Sequence, residues 1–170
     1  IIPANIQLAG AEIELTNTKY REKTLKEKIN LIEKDYDFII IDCPPSLGLL
    51  SLNALTASAA VLIPIQCEYY SLEGVGQLID TVKLVRKNLN PKLEIEGVLL
   101  NMFDGRTNLS VQVVEEVKKY FKDKVYRTVI PRSVRLAEAP SFGQPIMLYD
   151  DKSKGSIAYI KLSEEFIKSN

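Results

Sequence analysis

The sequence predicts an α/β fold, a mostly parallel sheet flanked by helices, built as one domain over residues 1–170. Three observations carry this prediction. Short β-branched runs alternate with longer helical patterns, as in successive βα units. The strand runs are almost wholly apolar, with their polar residues gathered at the ends. The chain is 46% hydrophobic and 26% charged, with no repeat, no single-residue tract and no flexible linker, so it can bury one real core.

Taken in order, residues 16–34 open with Thr and Asn and carry Leu25, Ile29 and Ile32 at three- and four-residue spacing. This predicts an amphipathic helix with a heavily charged outer face. Phe38 to Ile41 reads as a strand running into Asp42, with Pro44 and Pro45 stiffening the exit. A small-residue helix follows from about Leu47 to Ser58. AAVLIPIQ, residues 59–66, is a buried strand with Pro64 near its end. Ser71 is a good N-cap for a helix over 71–89, whose apolar stripe is Val75, Ile79, Val82 and Leu89. LEIEGVLLNMF, residues 93–103, is a strand with Glu94 and Glu96 at its beginning. Asn108 or Ser110 caps a helix carrying Val114, Val117 and Phe121. VYRTVIP, residues 125–131, is a further strand closed by a proline. Residues 132–155 are Pro/Gly-punctuated and irregular, and a closing helix runs from about Ser156 to Ile167.

Composition excludes several functions. Histidine is absent, which removes His-based acid–base chemistry, His-containing triads and His metal sites. Lys+Arg and Asp+Glu are both 22, so any surface for DNA or membrane must be a local patch. Cys43 and Cys67 match no metal or redox spacing and are expected to be small core residues in a reducing compartment. No signal peptide or bilayer-long apolar run is visible, which points to a soluble, cytoplasmic protein. The chain starts Ile1-Ile2-Pro3 without an initiator methionine and reads as a piece of a longer protein.

Ligands of parallel sheets bind at the carboxyl ends of the strands. The residues there are Asp42, Gln66, Asn101 with Asp104, and Pro131 with Arg132: acid, amide and base. An isolated Asp42 is as readily a turn-former or helix cap as a carboxylate that orients a water on Mg²⁺.

YDFIIIDCPPSLGLLSLNAL resembles the Walker B and switch II segment of the ParA/Soj partitioning ATPases. The likeness continues in order through IIPANIQLAGAEIEL, IPIQCEYYSLEGVGQL, GVLLNMFDGRTNLSVQVVEEVKKYF and VIPRSVRLAEAPSFGQPI. It covers essentially the whole chain. The resemblance implies a P-loop NTPase fold of the SIMIBI, MinD/ParA-like kind, with ATP and Mg²⁺ as cofactors. It places Asp42 at the Walker B position, acting on Mg²⁺ through water, with Pro44 in switch II. It places Asn101, Pro131 and Arg132 along the adenine, although a core or turn role for Asn101 fits the residues equally well.

The family begins with a strand and a Gly-rich Walker A loop whose backbone N–H groups cradle phosphates. No such loop occurs in residues 1–170, nor does the family's switch I. The fold is therefore expected to lack its N-terminal strand and P-loop, and the isolated chain to bind ATP poorly and not to hydrolyse it. A missing central strand would also leave apolar surface open to self-association.

The resemblance further implies non-specific DNA binding as an ATP-bound homodimer, stimulation by a ParB-type partner, and a nucleoid-associated location. Arg106 and Arg135 match the family's DNA-binding arginines, although a solvated arginine without a partner is the commoner case for any surface Arg. Glu68 and Tyr69, after a strand end, are candidates for the dimer face. The lysines at 118, 119, 122 and 124 are interrupted by acids and read as a solvated face. Two alternatives remain: a non-enzymatic interaction module, and a MinD-like ATPase cycling on membranes. Against the second, Lys161 and Lys168 are balanced by Glu164 and Glu165, and Ile157, Ile160 and Ile167 are expected to pack on the domain.

Overall fold

The computed structural model describes residues 1–68 and 71–170. The chain forms two compact units, Ile1–Val61 with Gln77–Glu94, and Leu62–Gly76 with Ile95–Asn170.

In the first unit, the expected helix over 16–34 is broken. Within it only α2 (Thr24–Ile29) is α-helical; α1 (Gly10–Glu14) lies before it, and 3-10 turns with Tyr20 in the left-handed region at φ 58 separate the two. A left-handed residue ends a helix regardless of the apolar spacing around it. The start of α2 is set by a tertiary contact instead. Asn53, buried in α3 (Leu49–Ala57), accepts the Leu25 N–H at 3.1 Å and donates to the Arg21 carbonyl at 2.9 Å.

The N-terminus of α3 is closed by a remote acid. Glu12 Oε1 accepts the Leu50 N–H at 3.2 Å, satisfying one orphan donor and placing negative charge at the positive end of the helix. The carboxylate lies where a Cβ on Gly48 would sit, so a larger residue there would push Glu12 aside. At the other end, buried Asn90 donates to the Leu55 and Ser58 carbonyls at 3.0 and 2.7 Å.

Residues 38–41 do not join the sheet, contrary to expectation. The sheet among the described residues contains β1 (Ala60–Gln66) and β2 (Glu94–Asn101) only, and Ile40 is 85% exposed. A run of apolar residues becomes a strand only where a neighbour takes its N–H and C=O groups. For the same reason Cys43, expected in the core, is exposed, whereas Cys67 is buried as expected.

β1 and β2 run parallel, with Glu94 N bonded to Ala59 O and Cys67 N to Asn101 O. The crossover that a parallel pair requires is α4 (Ser71–Asn88), with Ile79, Val82 and Val85 buried. Pro64 is tolerated because, among the described residues, β1 has a strand neighbour on one side only. β2 is buried continuously from Gly97 to Leu100, the pattern of a strand covered on both faces. At Gly97 an added Cβ would run into the Tyr126 ring.

The expected strand over 125–131 follows β2 in parallel only at its ends. Val125 bridges to Val98 and Pro131 to Phe103, with Ile130 N donating to Leu100 O at 2.9 Å. Between them the ladder is diverted, because the N–H groups of Arg127 and Thr128 donate instead to Glu165.

α5 (Asn108–Phe121) is capped by Thr107, whose Oγ1 accepts the Ser110 N–H, rather than by Asn108 or Ser110. Val113, Val117 and Phe121 form its buried stripe; Val114 is half-buried. The segment expected to be irregular contains α6 (Val134–Glu138), a 3-10 turn and α7 (Ile146–Tyr149).

The closing helix α8 (Lys154–Ser169) is capped by Ser153. Ala158, Tyr159, Leu162 and Phe166 pack with Leu99, Tyr126, Ile130 and Leu136. Ile157, Ile160 and Ile167 are exposed instead of packed, since the four-residue repeat of Ala158, Leu162 and Phe166 fixes the helix phase. Among the described residues, no helix is long and apolar enough to cross a membrane.

Candidate functional site

The strand-end residues fall into two groups. In the first unit, Asp42 and Pro44 lie on an exposed segment. Asp42 makes no side-chain hydrogen bond or ion pair among the described residues. Burial, and then the charge of Asp42, push the neighbouring Cys43 thiol up. No cluster of three acidic, His or Cys side chains suited to a metal occurs among the described residues. A lone outward carboxylate nevertheless fits Mg²⁺, which keeps several waters and takes one or two carboxylates together with substrate phosphates.

In the second unit, the ends of β1, β2 and the 125–131 segment converge. Asn101 accepts the Cys67 N–H through its carbonyl at 2.9 Å, and its side-chain Oδ1 accepts the Met102 N–H at 2.8 Å. Met102 takes a left-handed φ of 53 directly after the strand, an uncommon conformation for a residue with a Cβ. Arg132 is fixed by its backbone N–H on the Phe103 carbonyl at 2.9 Å. Its Nη2 donates to Glu68 Oε1 at 2.6 Å. Tyr69, the other candidate for a dimer face, lies outside the described residues.

Arg106 is held by Asp104 through three bonds. Nε donates to Oδ1 at 2.9 Å, Nη2 to Oδ2 at 2.7 Å, and the Arg106 backbone N–H to Oδ1 at 3.1 Å. The Arg106 side-chain bonds, its backbone N–H and the charges of Arg106 and Arg132 hold the Asp104 carboxyl down at about 2. Glu68, Arg132, Asp104 and Arg106 thus form a chain of alternating sign at the strand ends.

Arg135 lies on α6 rather than in a loop. Its Nη1 donates to Glu138 Oε2 at 3.1 Å, and its Nε is 3.4 Å from Asp150 Oδ2. Hydrogen bonding with Tyr149 and then Glu138 raises the Arg135 pKa further.

Three features escaped the sequence reading. The Asp104–Arg106 pair had a local signal, an Asp two residues before an Arg across a glycine, which is the spacing of a side-chain-closed turn. The Glu165 contact had none, being 37 residues from Thr128. A shallow depression of about 450 Å³ beside α8 is lined by Arg127, Lys154, Lys161 and Pro131 over the apolar Ile157 and Ala158; neither Asn101 nor Arg132 lines it.

A parallel sheet flanked by helices, with acid, amide and base at its strand ends, places the chain among the P-loop ATPase folds. Residues 1–95 match the AAA-domain family AAA_31. The chain is 65% identical over 165 residues to the sporulation initiation inhibitor protein Soj of Bacillus subtilis, covering 97% of this chain and 65% of that protein. It is 56% identical over 168 residues to the chromosome partitioning protein ParA of Myxococcus xanthus, covering 99% and 59%. A solved cobyrinic acid a,c-diamide synthase of Mycobacterium smegmatis, with bound ADP and magnesium, superposes with a TM-score of 0.78. It is 40% identical, over 95% of this chain and 59% of that one. The chain belongs to the AAA-domain family AAA_31, and its similarity to Soj and ParA proteins runs over nearly its whole length. It spans 65% and 59% of the length of those two relatives.

Proposed function

We propose that these residues belong to a DNA-partitioning ATPase switch. The observation that carries this reading is the 65% identity to Soj across 97% of the chain. Asp42 acts on Mg²⁺ through a water, as its isolated, outward carboxylate suits. Asn101, Pro131 and Arg132 face the base, in keeping with the carboxyl-end rule for parallel sheets. The magnesium ion supplies charge neutralisation for the phosphates when bound. No Gly-rich phosphate loop occurs in residues 1–170.

In the complete protein, ATP drives homodimerisation through a face that includes Glu68. The dimer then holds DNA through Arg106 and Arg135, reading phosphates rather than bases. A ParB-type partner resets the cycle by stimulating hydrolysis, and the protein works on the nucleoid. The test is retention of a random-sequence duplex by the protein at the length of its relatives. Retention with Mg·ATP and release with Mg·ADP is expected; equal retention with both nucleotides would overturn the switch.

A further inference from the structure

We propose that Asp104 is a built-in competitor for DNA phosphate at Arg106, setting how tightly the free loop can hold a polyanion. The inference rests on the reading of Arg106 as a phosphate contact. Its ground is the geometry of the pair. The Arg106 side chain is 88% exposed, yet the fork formed by Nε and Nη2 is occupied by a carboxylate that is itself only 19% exposed. That fork is one of the edges with which a guanidinium takes a phosphate in two parallel bonds.

Asp104 is also tied into the turn. Its Oδ1 also closes the turn onto the Arg106 N–H, and its carbonyl accepts the Thr107 N–H and hydroxyl, both at 3.1 Å, where Thr107 caps α5. Arg132, the other arginine whose charge acts on Asp104, is paired with Glu68. A phosphate approaching Arg106 must therefore displace a carboxylate or accept the remaining edge beside a negative charge. Exposed ion pairs are weak, so the carboxylate restrains DNA binding without blocking it.

The experiment is a fluorescence-anisotropy titration of a duplex of about 30 base pairs, with Mg·ATP and the protein at the length of its relatives, from about 50 to 200 mM salt. Asp104→Asn keeps the turn, since an amide oxygen still accepts the Arg106 N–H. It is expected to bind about 3- to 10-fold more tightly, with a steeper salt slope as Arg106 engages a phosphate in full. Asp104→Ser, which also closes the turn, is expected to act likewise. The double variant D104N/R106A should bind no better than R106A. Unchanged or weaker binding by both Asp104 variants would overturn the proposal and make Asp104 a group that orients Arg106. A gain that survives in the double variant would also overturn it. Should R106A alone bind like the parent, the underlying reading of Arg106 fails, and that arm separates the two failures.

Discussion

Glu165, on the last helix, accepts the backbone N–H groups of Arg127 and Thr128 at 2.7 and 2.9 Å, and so replaces β2 as the partner of that segment. Burial alone would raise the Glu165 pKa, but the bonds from Thr128 and from the two N–H groups outweigh it, and the net shift is downward. A carboxyl lowered in the folded state contributes stability above the ordinary value of 4.5 and loses it as pH falls through the folded value. Glu165→Ala should therefore cost about 1–3 kcal/mol near pH 7, with the gap to the parent narrowing by about pH 3. Urea unfolding at the two pH values checks this; a gap independent of pH would contradict it.

Gly97 sits where β2 passes the Tyr126 ring, with the Lys124 carbonyl 3.2 Å from the position of an added Cβ. Gly97→Ala should destabilise the chain by about 1–3 kcal/mol through overpacking of a buried strand. A fall in the urea midpoint at constant slope is the expected readout. A neutral outcome would mean that Tyr126 moves aside freely, although its hydroxyl is bonded to Glu96 at 3.2 Å.

Arg106 and Arg135 are both paired with carboxylates, but neither contributes to the apolar core. Replacing either by Ala in the complete protein is expected to weaken DNA binding and reduce the salt slope by about 0.9 for each phosphate that is no longer neutralised. ATP affinity should stay unchanged. A fall in ATP affinity in either variant would assign that arginine to the nucleotide instead.

Asp42 has no structural partner among the described residues, so Asp42→Asn should leave the thermal midpoint within about 2 °C of the parent, as for surface changes worth up to about 0.5 kcal/mol in either direction. In the complete protein the same change should weaken nucleotide binding with Mg²⁺ far more than binding without it. Equal weakening with and without the ion would remove Asp42 from the metal.

The parts legible in the sequence are those whose own residues determine their state. β2 and α4 carry continuous or periodic apolar residues, and both form close to the expected bounds. Periodicity failed over 16–34 because Tyr20 turns left-handed and Asn53 pins the start of α2, neither of which alters the spacing of Leu25 and Ile29. It failed at 38–41 because a strand needs a neighbour, and an apolar run does not say which neighbour it has. The same limit applies to 125–131, where a glutamate far along the chain takes the central N–H groups. At the candidate site the strand-end rule picked out Asn101, Asp104 and Arg132. The pairing of Arg132 with Glu68 joins residues 64 apart and left no local mark.

Under the proposed function, residues 1–170 carry switch residues without a Gly-rich phosphate loop. Calorimetric titration of Mg·ATP into the 170-residue chain, beside a version extended upstream through a Walker A loop, tests it most directly. Heat of binding from the extended protein and none from the chain alone is expected. Tight binding by the chain alone would contradict it and would mean that residues 1–170 hold the phosphates in some other way.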